Sequence, residues 1–381
     1  MILMKWYVIN MLKKVDKPLI IISIILFIFG LIMILSASSM ESYMRYGASP
    51  YYYFLKQAIF LVGGLVIFLF TIFIPTKIYK KLAWPLIIIT IISLIGLVIY
   101  GHVANNAASW YDIGIIKLQP SEIAKITLII FMASYYDKNK NKLNNKLILI
   151  LPLVIGVIIT LLIAIQPDMG TAFIVFVLLL SIFYSVPMKK GERNIITKLI
   201  ILILLLFGAI MLVTKGTILR DYQLDRFNFK DPCDRYKEKT GYQLCNSFIA
   251  FKNGGLTGQG IGKSTQKYLY LPESYTDFIF PIIVEEWGLI VGAVIIILFF
   301  LLLFRIFKIA RNAKNLRNSL LAFGIFVYIF LHIVINLSGV MGIIPLTGVP
   351  LPFLSYGGSY CISLMFALAL VSRISIENNS K

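Results

Sequence analysis

KSTQKYLYLPESYTDFIFPIIVEEWG, residues 263–288, begins as a polar loop and ends inside an apolar run, with Pro272, Glu273 and Asp277 at the changeover. A stretch of this kind marks the rim of a membrane. Asp277 falls near the level where lipid headgroups meet water, and an ionisable group at that depth is costly enough to imply function. Read as structure alone, Asp277 is a loop residue that complements the dipole of the helix it precedes.

The whole chain supports the membrane reading. It has 381 residues, 59% hydrophobic and 14% charged, with mean hydropathy +0.88. Nearly uncharged runs of roughly 18 residues or more are transmembrane helices. A net charge of +19 could suit nucleic acid, but the positive residues are scattered between apolar runs instead of forming a basic patch on a soluble domain. Nucleic acid is therefore excluded as a partner, and the bilayer is the expected one. Three cysteines at irregular spacing and two distant histidines, His102 and His332, give no Cys/His metal pattern.

The first apolar run, 18–37, is longer than the ~7 to 15 residues of a signal-peptide core and is read as a retained helix. Runs at 54–74, 82–101, 121–136, 147–165, 170–186, 199–213, 278–307, 320–340 and 360–371 follow. This predicts an all-α integral membrane protein of about ten spans, forming one polytopic domain over residues 1–381. A large extracellular loop, 214–277, precedes the eighth helix, and both termini are cytoplasmic. Of the 17 acidic residues, only Asp16, Asp137, Glu192 and Glu377 fall on the inner side, and the short inner loops are almost purely basic.

Chemistry is therefore expected to face outward. In SWYDIGIIKLQPSEIAK (109–125), Pro120, Ser121 and Glu122 start a helix. Glu122 and Lys125, three apart, can pair on one helical face. As structure the pair neutralises two awkward charges; as function it is the wall of a polar cavity. Trp110 is an interfacial anchor or part of that wall. Asp168 sits in the turn QPDMGT, 166–171, and adds another outward carboxylate. Arg226, Lys263 and Lys267 in the long loop are candidates to contact phosphate. Gly262-Lys263-Ser264 imitates the end of a P-loop, but Thr257 stands where that motif needs glycine. The other loop glycines permit close backbone approach. Cys233 and Cys245, in the same outer and oxidising loop, are expected to form a disulfide, with free thiols as the alternative. NLSGVMGIIPLTGVPLPFLSYGGS (336–359), which contains Ser355, is too broken by proline and glycine to be one helix and too apolar for a solvated loop. It is read as a re-entrant wall of the same outward site.

WYDIG (110–114), QPSEIAK (119–125), QPDMGTA (166–172), YQLDRF (222–227), GYQ (241–243), the run 253–280, EEWG (285–288) and PLTGVPLPFLSYGGS (345–359), in this order, resemble the SEDS family of bacterial cell-wall polymerases. The resemblance spans nearly the whole chain and is nearer the division branch, FtsW, than the elongation branch, RodA. Tyr111, Asn246, Pro281 and Tyr360 depart from the usual motifs, but none of them replaces a charged motif residue. The resemblance implies a peptidoglycan glycosyltransferase of the bacterial cytoplasmic membrane that joins lipid II into undecaprenyl-pyrophosphate-linked glycan. It places the family's essential aspartate on Asp277, as base toward the acceptor hydroxyl. Arg226, Lys263 and Lys267 are the cations available to the leaving pyrophosphate. It further implies a class B penicillin-binding protein as partner, with other division or elongation proteins, and leaves room for a divalent cation, Mg2+ or Mn2+. A lipid II flippase and a recruiting scaffold are the other readings of the same features.

Overall fold

The computed structural model describes residues 11, 13–100, 102–104, 107–112, 114, 117–198, 201, 229–237 and 239–380. Its long helices are α1 (Lys17–Tyr46), α2 (Tyr52–Phe73), α3 (Thr76–Tyr100), α4 (Pro120–Lys138), α5 (Lys146–Ile165), α6 (Met169–Ser185), α7 (Lys239–Gly254), α8 (Ile279–Arg311), α9 (Leu316–Val340) and α10 (Gly358–Asn379). Among the described residues, seven helices are long and apolar enough to cross a membrane: α1, α2, α3, α5, α8, α9 and α10. The apolar α6 is shorter. The run 199–213 lies outside the described residues.

The outer loops carry regular structure of their own. In the first, β1 (His102–Ala104), β2 (Ala107–Asp112) and β3 (Lys117–Leu118) form a small antiparallel sheet, a local departure from the expected all-α architecture. The large loop, 214–277, contains α7. That helix is amphipathic and only weakly apolar, so it gives no membrane signal. A disulfide joins Cys233 to Cys245, with a Cα–Cα distance of 4.9 Å, and fastens the segment before α7 to that helix. Closing a loop of this size stabilises by on the order of 3 kcal/mol in the chain-entropy model.

Burial separates the helices into an outer and an inner set. On α2, α3 and α5 large apolar side chains point outward, among them Ile59, Phe70, Ile89 and Leu161. In a water-soluble protein such a belt would drive aggregation; in lipid it is the required solvent-facing surface. α4 is the opposite case. It packs against α3, α9, α6 and α10 and buries most of its length. Shielded in this way, it can carry Glu122 and Lys125, which an isolated span could not.

Helix ends are finished locally. Asp16 caps α1, accepting from Leu19 N at 3.0 Å, and also pairs with Arg305 of α8. Gly47 ends α1 in the left-handed conformation. At the end of the bundle away from Asp277, Glu377 of α10 accepts from Thr76 N and Oγ1, Asn318 Nδ2 and Arg373 Nε. These bonds lock the α2–α3 turn to α9 and α10.

The most unusual element is α8, which breaks at Gly288 with φ 82° and ψ 169°. The glycine-rich chain after α7 supplies the lost backbone partners. Gln259 N and Gly260 N donate to Glu285 O and Glu286 O, while Leu289 N and Ile290 N donate to Gly255 O and Leu256 O. Only glycines allow this approach: a Cβ on Gly258 would lie 2.3 Å from Glu286 O, and one on Gly288 would lie 2.2 Å from Leu256 O. Side chains reinforce the joint. Glu285 accepts from Asn253, Ser264, Thr265 and the Gln266 amide. Lys267 donates to Glu286 at 2.8 Å and to Ser36 of α1 at 3.0 Å.

Candidate functional site

Asp277 ends the connection into α8, and three contacts from the 336–359 region hold its backbone. Asn336 Nδ2 donates to Asp277 O at 2.8 Å and to Val349 O at 2.8 Å. Ser355 Oγ donates to Thr276 O at 2.6 Å and accepts from Leu351 N at 2.8 Å. Tyr356 N donates to Tyr275 O at 2.9 Å. The proline- and glycine-broken segment is therefore a folded wall, its irregular backbone satisfied by side chains within the protein. Gly348, at φ 71°, lies against the carboxylate: a Cβ there would sit 3.3 Å from Asp277 Oδ2.

This wall encloses a cavity of about 670 Å3. Trp110, Glu122, Asp168, Glu273 and Asp277 line it, together with Gln119, Thr240, Gln243, Asn336, residues 346–350 and residues 356–360. Five of the ten sequence-derived candidates thus share one space. Asp168 caps α6 through Thr171 N at 3.1 Å and accepts from Gln119 Nε2 at 3.2 Å. Glu273 holds a left-handed φ of 57°, and its carboxylate accepts from Thr276 Oγ1 at 2.9 Å. A non-glycine residue in that conformation stores strain, as functional sites often do.

The remaining candidates stand elsewhere. Lys125 lies behind Glu122, fully buried, and donates to Glu122 Oε1 at 2.8 Å. Ser355 supports the turn before Asp277 without reaching the cavity. Lys267 is not a cavity cation, because Glu286 consumes its charge in the joint of α8. Lys263 is exposed on the loop and likewise does not line the cavity. Arg226 lies outside the described residues. Among the described residues, the cavity wall has four carboxylates and no Lys or Arg. The outward carboxylates were expected; the lack of cations beside them was not, since it depends on which loop cations the fold diverts.

Sequence reasoning also passed over an aromatic cluster at the cavity edge and over His332. Tyr53 of α2 packs on Tyr275 and Tyr356 with ring centroids 4.5 and 5.0 Å apart. Burial pushes the Tyr356 phenol up to about 12, so it is a neutral hydrogen-bonding group at physiological pH. Burial raises Tyr275 as well. His332 on α9 meets Lys125 Nζ at 2.9 Å through Nε2. A lone histidine in an apolar span has no local pattern that announces a partner on another helix.

The buried Glu122–Lys125 pair carries a direct prediction. Reversing either charge leaves two like charges side by side without water, and breaking such a pair costs about 3–5 kcal/mol. E122K and K125E should each sharply lower the yield of folded protein, and E122K/K125E should recover part of it. Independent, additive losses by fluorescence-detected gel filtration would remove the coupling.

A family model described as "Cell cycle protein", for FtsW, RodA and SpoVE, matches residues 17–380. A relative from Bacillus subtilis (strain 168), named probable peptidoglycan glycosyltransferase FtsW, is 36% identical over 98% of this chain and 94% of its own length. A relative of the same name from Enterococcus hirae is 34% identical over 95% of this chain and 92% of its own. Two solved structures share the fold. One, from work on the structural coordination of polymerization and crosslinking by a peptidoglycan synthase complex, aligns with TM-score 0.74 at 23% identity over 96% of this chain and 98% of that one. The rod shape determining protein RodA of Thermus thermophilus aligns with TM-score 0.67 at 21% identity, over 96% and 98%. On the family match over residues 17–380 and the coverage by these relatives, this chain belongs to the FtsW/RodA/SpoVE family of multi-pass bacterial membrane proteins.

Proposed function

We propose that this chain is a peptidoglycan glycosyltransferase that polymerises lipid II on the outer face of the cytoplasmic membrane, in the FtsW-like, septal role. The observation that carries the reading is Asp277 on the wall of a large polar cavity, set at the start of a membrane helix. The name shared by its full-length relatives supports the same activity.

Glycan elongation needs a base for the acceptor sugar hydroxyl, and Asp277 serves when that hydroxyl lies within hydrogen-bond reach or one water away. Its turn is clamped by Asn336 and Ser355, so the carboxylate is held before substrate arrives. The neutral donors and acceptors of Gln119, Gln243, Asn336 and Tyr356 suit sugar and amide groups. Among the described residues no three Asp, Glu, His or Cys side chains converge as a metal cage. The cavity carboxylates would hold Mg2+ or Mn2+ only in the open arrangement that substrate phosphates complete. Such an ion would offset phosphate charge, and no step here depends on it.

The finer topology is part of the proposal: about ten spans, α4, α6 and the run 199–213 included, with both termini cytoplasmic and the cavity end outside. The basic inner loops favour this orientation. Because Asn253 is tied to Glu285, the exposed Lys263 is the better reporter. A membrane-impermeant thiol reagent should reach K263C in intact cells and not N194C; the reverse pattern would invert the topology. A class B penicillin-binding protein is the proposed partner, since the strands made here require crosslinking.

Reconstitution decides the activity. Purified protein given lipid II should build long glycan, faster with its cognate transpeptidase. Lipid II translocation without any polymer from active preparations would make the protein a flippase.

A further inference from the structure

Glu122 has one carboxylate oxygen accounted for and one not. Oε1 accepts from Lys125, whereas Oε2 is buried without a hydrogen-bond partner, on a residue 2% exposed that lines the cavity. Leaving a buried acceptor unsatisfied costs about 1–3 kcal/mol, more for a charged group. The surroundings hold the carboxylate in place. Lys125 has only protons to give, so His332 Nε2 must accept from it, which places the imidazole proton on Nδ1, facing Pro350 O at 3.3 Å. The ammonium also lies over the rings of Tyr328 and Tyr360, 5.4 and 5.8 Å from their centroids. A chain of contacts thus runs from the re-entrant wall through His332 and Lys125 to Glu122.

We propose that Glu122 is a substrate ligand and His332 a positioning residue. Oε2 accepts a hydrogen bond from a neutral donor on the sugar, a hydroxyl or an acetamido N–H, while His332 and Lys125 aim the carboxylate from behind. The donor is neutral because Lys125 is already the cationic partner of Glu122. The sugar class rests on the glycosyltransferase reading above.

The test measures binding without turnover. Parent and E122L/K125M chains, both in a D277N background, are titrated with dansylated lipid II in nanodiscs. Replacing a buried pair by apolar residues of similar volume is often neutral for folding, so gel filtration should show both monodisperse. Losing this buried hydrogen bond should weaken binding about 10- to 100-fold. An unchanged Kd overturns the inference, whether or not the parent polymerises. A weakened Kd with a parent that makes no glycan leaves the ligand in place and removes the glycosyltransferase reading. His332 is tested separately with the ion pair intact. H332Q, whose amide can accept from Lys125 and donate to Pro350 O, should keep KM near the parent value, and H332L should raise it. Equal KM for the two variants overturns the positioning role.

Discussion

Asp277→Asn should all but abolish glycan formation while leaving a folded, membrane-inserted protein. The substitution keeps the shape and reach of the side chain and removes its basicity, and general-base assistance is worth roughly 10²–10⁴-fold. The backbone around residue 277 is held by Asn336 and Ser355 through main-chain carbonyls, so those bonds survive the change. Parent and variant, matched by gel filtration profile, would be incubated with lipid II and the products separated on a gel. Glycan of parental length and yield from the Asn variant would remove Asp277 as the base.

Gly288→Ala is expected to have the largest effect on folding. Its φ of 82° and ψ of 169° belong to a region that only glycine occupies readily. The added methyl would also meet Leu256 O at 2.2 Å and Gly258 N at 2.5 Å. Both are backbone atoms that already stitch the helix, so nothing can swing aside. Relief requires parting the glycine chain from α8, which leaves several buried amide and carbonyl groups unpaired at about 1–3 kcal/mol each. Little monodisperse protein should be recovered. A normal yield and thermal midpoint for G288A would mean that the joint is far softer than its geometry implies.

Most of the helices among the described residues were legible because apolar runs of the required length leave few alternatives, and these helices mostly extend the expected runs by a few residues. The Glu122–Lys125 pair was legible because spacing alone places the two on one helical face. The role of residues 336–359 as a wall could also be read, from proline, glycine and apolarity together. What escaped the sequence is what forms between distant segments. Lys267 resembles any loop cation until α8 brings Glu286 beside it. His332 is unremarkable until α4 packs against α9. The weakly apolar α7 and the short strands β1–β3 lacked a periodic signal strong enough to stand out from loop.

The joint at Gly288 also bears on how the chain is made. A ribosome delivers the segment from Gly254 to Gly260 before α8, and the bonded positions are separated by only about thirty residues, a modest closure entropy. The two halves of the broken helix can therefore be completed as α8 enters the bilayer, before α9 or α10 exists. Asp277, lying between the two partners, would have its connecting loop shortened at that stage, and the later arrival of Asn336 and Ser355 would then set the carboxylate in place. On this order of assembly, truncation after α8 should still yield a protected Gly254–Gly260 segment, whereas the cavity waits for the last helix.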